Sequence, residues 1–198
     1  MQTENAHKTA MRRKTPSVTA RMFMRDIAPR VRPVSVMDYG CGWGRDVEAY
    51  RAAGFSAYGY DPHPQFGQTD PHAGKKFDVV FVTYVLNALD TYRERVDVLC
   101  RAKSYMHANS LLIVTTRTPE EIEREALTRG WAEEADGYRT KSGTFQAGIG
   151  WVELMEMGAS VGLDVKPEWW FVTHENHPST VVLTHAFLSC ADGCIYHS

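Results

Sequence analysis

Val36-Met37-Asp38-Tyr39-Gly40-Cys41-Gly42-Trp43-Gly44 is the stretch that decides the fold of this 198-residue chain. Apolar residues lead into an acid, and three glycines follow at alternate positions. Val34 to Asp38 reads as a strand, and residues 45–53 read as a helix that ends near Gly54. Glycine lets the chain turn tightly between the two and lets a ligand approach the backbone. The first turn of the helix offers N–H groups that have no partner within it.

Outward from this loop, strands and helices alternate. Phe55 to Tyr60 is a second strand, stopped by Asp61-Pro62, and residues 62–76 read as loop. Phe77 to Tyr84 is β-branched and aromatic, as a strand buried on both faces should be. Residues 91–106 read as helix and Leu111 to Thr115 as a fourth strand. Pro119 opens a charged helix that runs to about Arg129. Residues 130–148 are glycine-rich and irregular, and residues 149–161 return to helix. Trp169 to Thr173 and Thr180 to Leu188 flank a turn at residues 174–179 and read as a hairpin. Upstream, Val18, Met22, Phe23 and Ile27 predict a helix over 17–28, with Ser17 as its N-cap and Pro29 as its end. The expected fold is therefore α/β: a mostly parallel sheet with helices on both faces and a C-terminal antiparallel hairpin. One domain over 1–198 is expected, with 1–16 a basic N-terminal arm. Ligands of such sheets bind at the carboxyl ends of the strands, where the strand order reverses.

Composition narrows the class. Hydrophobic residues make up 43% and charged residues 23%, as in globular proteins, and no apolar run is long enough to span a membrane. The N-terminus lacks the apolar core of a signal peptide. Cys41, Cys100, Cys190 and Cys194 match no common metal pattern, so reduced thiols, no metal and a cytoplasmic location are expected. Residues 1–33 carry eight basic groups against two acidic, +6, while the remainder carries 14 basic against 22 acidic, −8. A basic arm on an acidic body either recruits a polyanion or is a solvated tail.

Two cofactor classes compete for the glycine loop. A dinucleotide site needs G-x-G-x-x-G, and here Arg45 stands in the last glycine's place. The acid-x-G-x-G-x-G form resembles instead the class I S-adenosylmethionine-dependent methyltransferases, which have a Rossmann-like sheet. That resemblance implies that Asp38 helps to hold the cofactor's ammonium, and that the backbone from Tyr39 through Gly40 and Cys41 to Gly42 faces its amino-acid end. Asp61, twenty-one residues beyond Gly40, ends the second strand, where a carboxylate can take two ribose hydroxyls. With Pro62 it can also simply start a turn. Pro62 beside Asp61, and Thr83 and Tyr84 at the exit of the third strand, complete the expected cofactor set.

A narrower resemblance follows from Met37 to Gly42, from Ala57-Tyr58-Gly59-Tyr60-Asp61-Pro62 and from Tyr84-Val85-Leu86-Asn87. Together with His7 to Arg13 and Thr140-Lys141-Ser142-Gly143-Thr144-Phe145-Gln146, these stretches resemble the methyltransferases associated with DNA phosphorothioation gene clusters. Gly42-Trp43-Gly44-Arg45-Asp46 departs from the acid-rich pattern of that family. The resemblance implies a nucleic-acid context without fixing the acceptor. Arg12 and Arg13 are then candidate phosphate contacts, and Lys141, Thr144, Phe145 and Gln146 candidate substrate contacts. Phe145 either stacks on a ring of the substrate or anchors its loop in the core.

No Asn/Asp-Pro-Pro-aromatic motif follows the third strand, and no cysteine is placed as a nucleophile, which disfavours base-amine and cytosine C5 chemistry. Direct methyl transfer needs alignment and exclusion of water, with a general base where the acceptor carries a proton. His63, Tyr84 and Asn87 are the candidate catalytic residues, against plainer roles in loop, core packing and turn. Among the other histidines, His72, His107, His174 and His177 are also open to that role. The acceptor is a nucleic acid or something linked to one, or a small metabolite, or the fold is a non-catalytic sensor of S-adenosylmethionine.

Overall fold

Alternation along the strands sets the two faces of a central sheet. In the computed structural model, residues 6–10, 12–66, 70, 74–165 and 180–185 are described. The strands are β1 (Ser35–Tyr39), β2 (Ser56–Tyr60), β3 (Phe77–Thr83), β4 (Met106–Thr115), three short ones, β5 (Ala132–Glu134), β6 (Gly137–Arg139) and β7 (Phe145–Gln146), then β8 (Leu163–Val165) and β9 (Thr180–His185). The six-stranded sheet has the order β2-β1-β3-β4-β9-β8. β1 pairs in parallel with β2 and β3, and β3 with β4; β9 runs antiparallel to both β4 and β8.

Met37, Tyr39, Val80, Val82, Leu112, Val114, Val181 and Leu183 pack in one buried cluster; Val36, Val79, Phe81, Leu111, Ile113 and Val182 pack in another. This period of two is what a sheet covered on both faces requires. α4 (Tyr92–Lys103) and α6 (Trp151–Ser160) pack on the first face. α1 (Val18–Met22), the π-helical turn Phe23–Ile27 and α3 (Arg45–Ala52) cover the second. A further helix, α5 (Pro119–Arg129), starts at Pro119 with a capping box between Thr118 and Glu121 and ends at Gly130 in the left-handed region.

Three expectations change. Pro29 does not end its helix: it sits in the first turn of α2 (Ala28–Val31), and Arg32 at φ 49° closes it. The π-helical turn just before it bonds Ala28 N–H to Phe23 O, so the ladder widens where proline supplies no donor. The stretch 130–148 is not irregular but holds the antiparallel sheet β5-β6-β7. Its strands are too short and too exposed to show a pattern, and Gly137 is required because a Cβ there would lie 2.5 Å from Gln146 O. The C-terminal antiparallel pair is present, but its first described strand is Leu163–Val165. The expected strand at Trp169–Thr173, the turn at 174–179, His72, Cys190 and Cys194 lie outside the described residues. No helix among the described residues is long and apolar enough to cross a membrane, and no group of His, Cys, Asp or Glu there is arranged to hold a metal.

Candidate functional site

The chain runs from β1 to β2 on one side and then crosses to β3 on the other, so the strand order reverses between β1 and β3. Loops leaving neighbouring strands diverge at such a point and leave a crevice. A cleft of about 1170 Å³ opens there, lined by the loops after β1, β2, β3 and β4, by α4 and α5, and by the N-terminal arm.

Its floor is the glycine loop. Gly40 (φ 80°) and Gly42 (φ 52°) stand in the left-handed region, where a side chain costs energy. A Cβ on Gly40 would lie 2.4 Å from Val85 Cγ2, so the β1 and β3 exits touch only because the residue is glycine. The Gly40 N–H donates to Tyr60 O at 2.7 Å. The Gly42 N–H donates to Asp61 Oδ2 at 3.0 Å, and the His63 N–H to Asp61 Oδ1 at 3.0 Å. Asp61 therefore braces the glycine loop and starts the turn after β2 at once, while lining the cleft with Pro62 and His63.

Asp38 points to the α3 face of the sheet and is buried beneath the loop, away from the cleft wall. Burial, together with Asp46 and Asp61 nearby, pushes its carboxyl up to about 8, and only Arg13 opposes this. Asp46, in the first turn of α3, is 2% exposed. It accepts the Ser17 N–H at 2.7 Å and Arg13 Nη2 at 3.0 Å. The arm is thus tied across the loop rather than lying outside it. Ala10 sits against Gly42, 3.1 Å from where a Cβ would stand, and the Arg12 guanidinium lies 3.7 Å over the Trp43 ring. Asp46 and Trp43 were missed from the sequence. The available signal was an acid sharing the inward face of α3 with Val47 and Tyr50.

At the β3 exit, Tyr84 holds φ 58° and lines the cleft beside Thr83. A bulky residue in that region is strained, and such strain gathers at functional sites. Burial raises the pKa of its phenol, with Glu121 adding to the effect and a hydrogen bond from Thr19 opposing it. Asn87 is 2% exposed and its amide is engaged three ways: Nδ2 donates to Ala147 O at 2.6 Å and to Arg117 O at 3.2 Å, and Oδ1 accepts the Arg117 N–H at 2.9 Å. It clamps the β3, β4 and β7 exits together, which is a strut's arrangement. His63 Nδ1 accepts the Gln65 N–H at 3.2 Å, which fixes the ring at the cleft edge.

The far end of the cleft is walled by α5 and the β6–β7 connection. Lys141, Thr144 and Gln146 line it with Thr140 and Ser142. The Thr140 hydroxyl meets those of Thr144 and Ser142 at 2.6 and 2.9 Å. Phe145 does not face the cleft: alternation at β7 turns it into the core, 2% exposed, with Arg139 5.1 Å above its ring. Arg117 and Arg129, unflagged in the sequence, bracket Glu125 at the same end.

Solved structures share this architecture. An amino pentose methyltransferase from Micromonospora echinaspora, CalS10, solved with S-adenosylmethionine bound, is 17% identical, with a TM-score of 0.56 over 82% of this chain and 90% of that one. The sugar N-methyltransferase KedS8 from Streptoalloteichus sp ATCC 53650 is 12% identical, with a TM-score of 0.58 over 94% of each chain. The plantazolicin methyltransferase BpumL, solved with S-adenosylhomocysteine (SAH), is 12% identical, with a TM-score of 0.56 over 92% and 86%. A comparison with curated protein sequences gives no match. The family model described as "Methyltransferase domain" matches residues 7–147, from the arm through the glycine loop to the end of β7, and the chain belongs to that family.

Proposed function

We propose that this chain transfers a methyl group from S-adenosylmethionine to a small polar acceptor held inside the cleft. The observation that carries the reading is the cleft at the β1–β3 reversal, floored by Gly40 and Gly42 at positive φ and edged by Asp61, with Asp38 buried beneath the loop. No phosphate cradle is built there: Arg45 stands where a dinucleotide site needs its last glycine, and it pairs with Glu48. Asp61, the acid on the cleft wall, suits a ligand that carries an ammonium and a sulfonium. Bound there, the cofactor supplies an electrophilic methyl group. The chain's own work is to bring an acceptor atom into line with it and to keep water out. Tyr84 and Thr83 stand between the two ends of the cleft, and Lys141, Thr144, Gln146 and Arg117 offer polar contacts at the acceptor end.

A nucleic-acid acceptor would draw on Arg12 and Arg13, but Arg12 stacks on Trp43 and Asp46 holds Arg13 at the glycine loop, on the cleft wall. This favours the small acceptor over the context implied by the phosphorothioation-cluster resemblance. The same reading puts the protein in the cytoplasm.

Calorimetry with S-adenosylmethionine, SAH and NAD tests the cofactor, and transfer of labelled methyl to pools of small amines, alcohols and thiols, and to DNA and RNA, tests the acceptor. Binding of NAD alone would overturn the first part. Label appearing in nucleic acid and in no small acceptor would overturn the second.

A further inference from the structure

The N-terminal arm brings a cation to the glycine loop across a sequence separation of 33 residues. Arg13 Nη2 donates to Asp46 Oδ2 at 3.0 Å. A guanidinium has five N–H donors, so one contact leaves most of them available. The side chain keeps 31% of its surface exposed and lines the cleft. Its placement is fixed on both sides: Asp46 also holds the Ser17 N–H, and Ala10 lies against Gly42.

Charge at this end of the cleft is unbalanced. Asp38, Asp46 and Asp61 are all buried here, and Arg13 is the group that counters Asp38. A ligand that ends in an α-amino acid brings both signs. Asp61, the one of these three acids on the cleft wall, suits its ammonium and repels its carboxylate, so the carboxylate needs a cation aimed into the cleft beside the glycine loop.

We propose that Arg13 binds the α-carboxylate at the methionyl end of S-adenosylmethionine, so that the arm is part of the cofactor site. This rests on the cofactor reading above. It reassigns Arg13 from nucleic-acid contact to cofactor recognition, and it makes Asp46 a positioning residue that acts through Arg13.

The test is calorimetry on the full chain with S-adenosylmethionine and with decarboxylated S-adenosylmethionine, which keeps the ammonium and the sulfonium. Wild type should prefer the intact cofactor. In Arg13→Ala, affinity for the intact cofactor should fall by about 10- to 100-fold, the worth of a charge-assisted hydrogen bond. Affinity for the decarboxylated form should stay within about twofold. Arg13→Lys keeps the charge and the tie to Asp46 without the planar fork, and should lose part of the preference. It carries the same comparison if the alanine variant melts too low to be titrated. Equal weakening toward both ligands would overturn the proposal and leave Arg13 as a brace for the arm. Wild type that binds neither ligand would instead overturn the cofactor reading itself.

Discussion

Replacing Gly40 by alanine should damage the protein in two separable ways. At φ 80° a Cβ brings left-handed strain of about 1–2 kcal/mol. The same Cβ falls 2.4 Å from Val85 Cγ2, so the β3 exit must shift, an overpacking cost of about 1–3 kcal/mol. The sum is about 2–5 kcal/mol, which for a domain of this size lowers Tm by about 4–20 °C. Val85→Ala removes the colliding methyl groups. The double variant should therefore recover the collision and keep the strain, giving a coupling of about 1–3 kcal/mol in a double-mutant cycle. Urea unfolding of wild type, both single variants and the double variant measures this, with m held constant as the check that the denatured state has not changed. Additive single effects, or a Gly40→Ala protein as stable as wild type, would refute the claim that this contact locks the β1 and β3 loops into one cleft. Because both loops wall the cleft, cofactor affinity should fall in Gly40→Ala and return in the double variant.

Three further outcomes follow from the site. Asp38 holds its proton in the folded protein up to about pH 8, whereas in the unfolded chain it loses it near its ordinary value of 3.8. The folded state binds more protons in that window, so stability should fall as pH rises from about 4 to about 8 and fall less in Asp38→Asn; parallel profiles in urea unfolding would rule this out. Asn87→Ala strands the buried Ala147 carbonyl, at about 1–3 kcal/mol, and two part-buried groups of Arg117 at less, so it should melt well below wild type. A variant that melts like wild type yet turns over no substrate would restore Asn87 as a catalytic residue. Phe145→Ala should cost about 3–5 kcal/mol as a core truncation, whereas Lys141→Ala should change stability by less than about 0.5 kcal/mol and raise KM for the acceptor; thermal melts and steady-state kinetics would expose the reverse pattern.

The sequence by itself determined whatever is encoded within a few residues. Strand alternation in Val79 to Val82 and Leu111 to Val114, the capping box at Thr118-Glu121, the Ser17 cap and the three-glycine turn all follow from local sterics and periodicity. So the order of strands and helices, the glycine loop and the acid at the end of β2 were legible. Tertiary structure alone decided where distant groups meet. Arg13 reaches Asp46 across 33 residues, and Asn87 reaches Ala147 across 60. No local pattern encodes such pairs, because they depend on the path of the chain and on which face each element buries. Phe145 shows the same limit. Its apolar ring suited either stacking on a substrate or the core, and the register Arg139↔Phe145 in the small β5-β6-β7 sheet turned it inward. The basic arm likewise read as either a polyanion contact or a solvated tail, and only the fold held Arg12 on Trp43 of the glycine loop and Arg13 on Asp46 of α3.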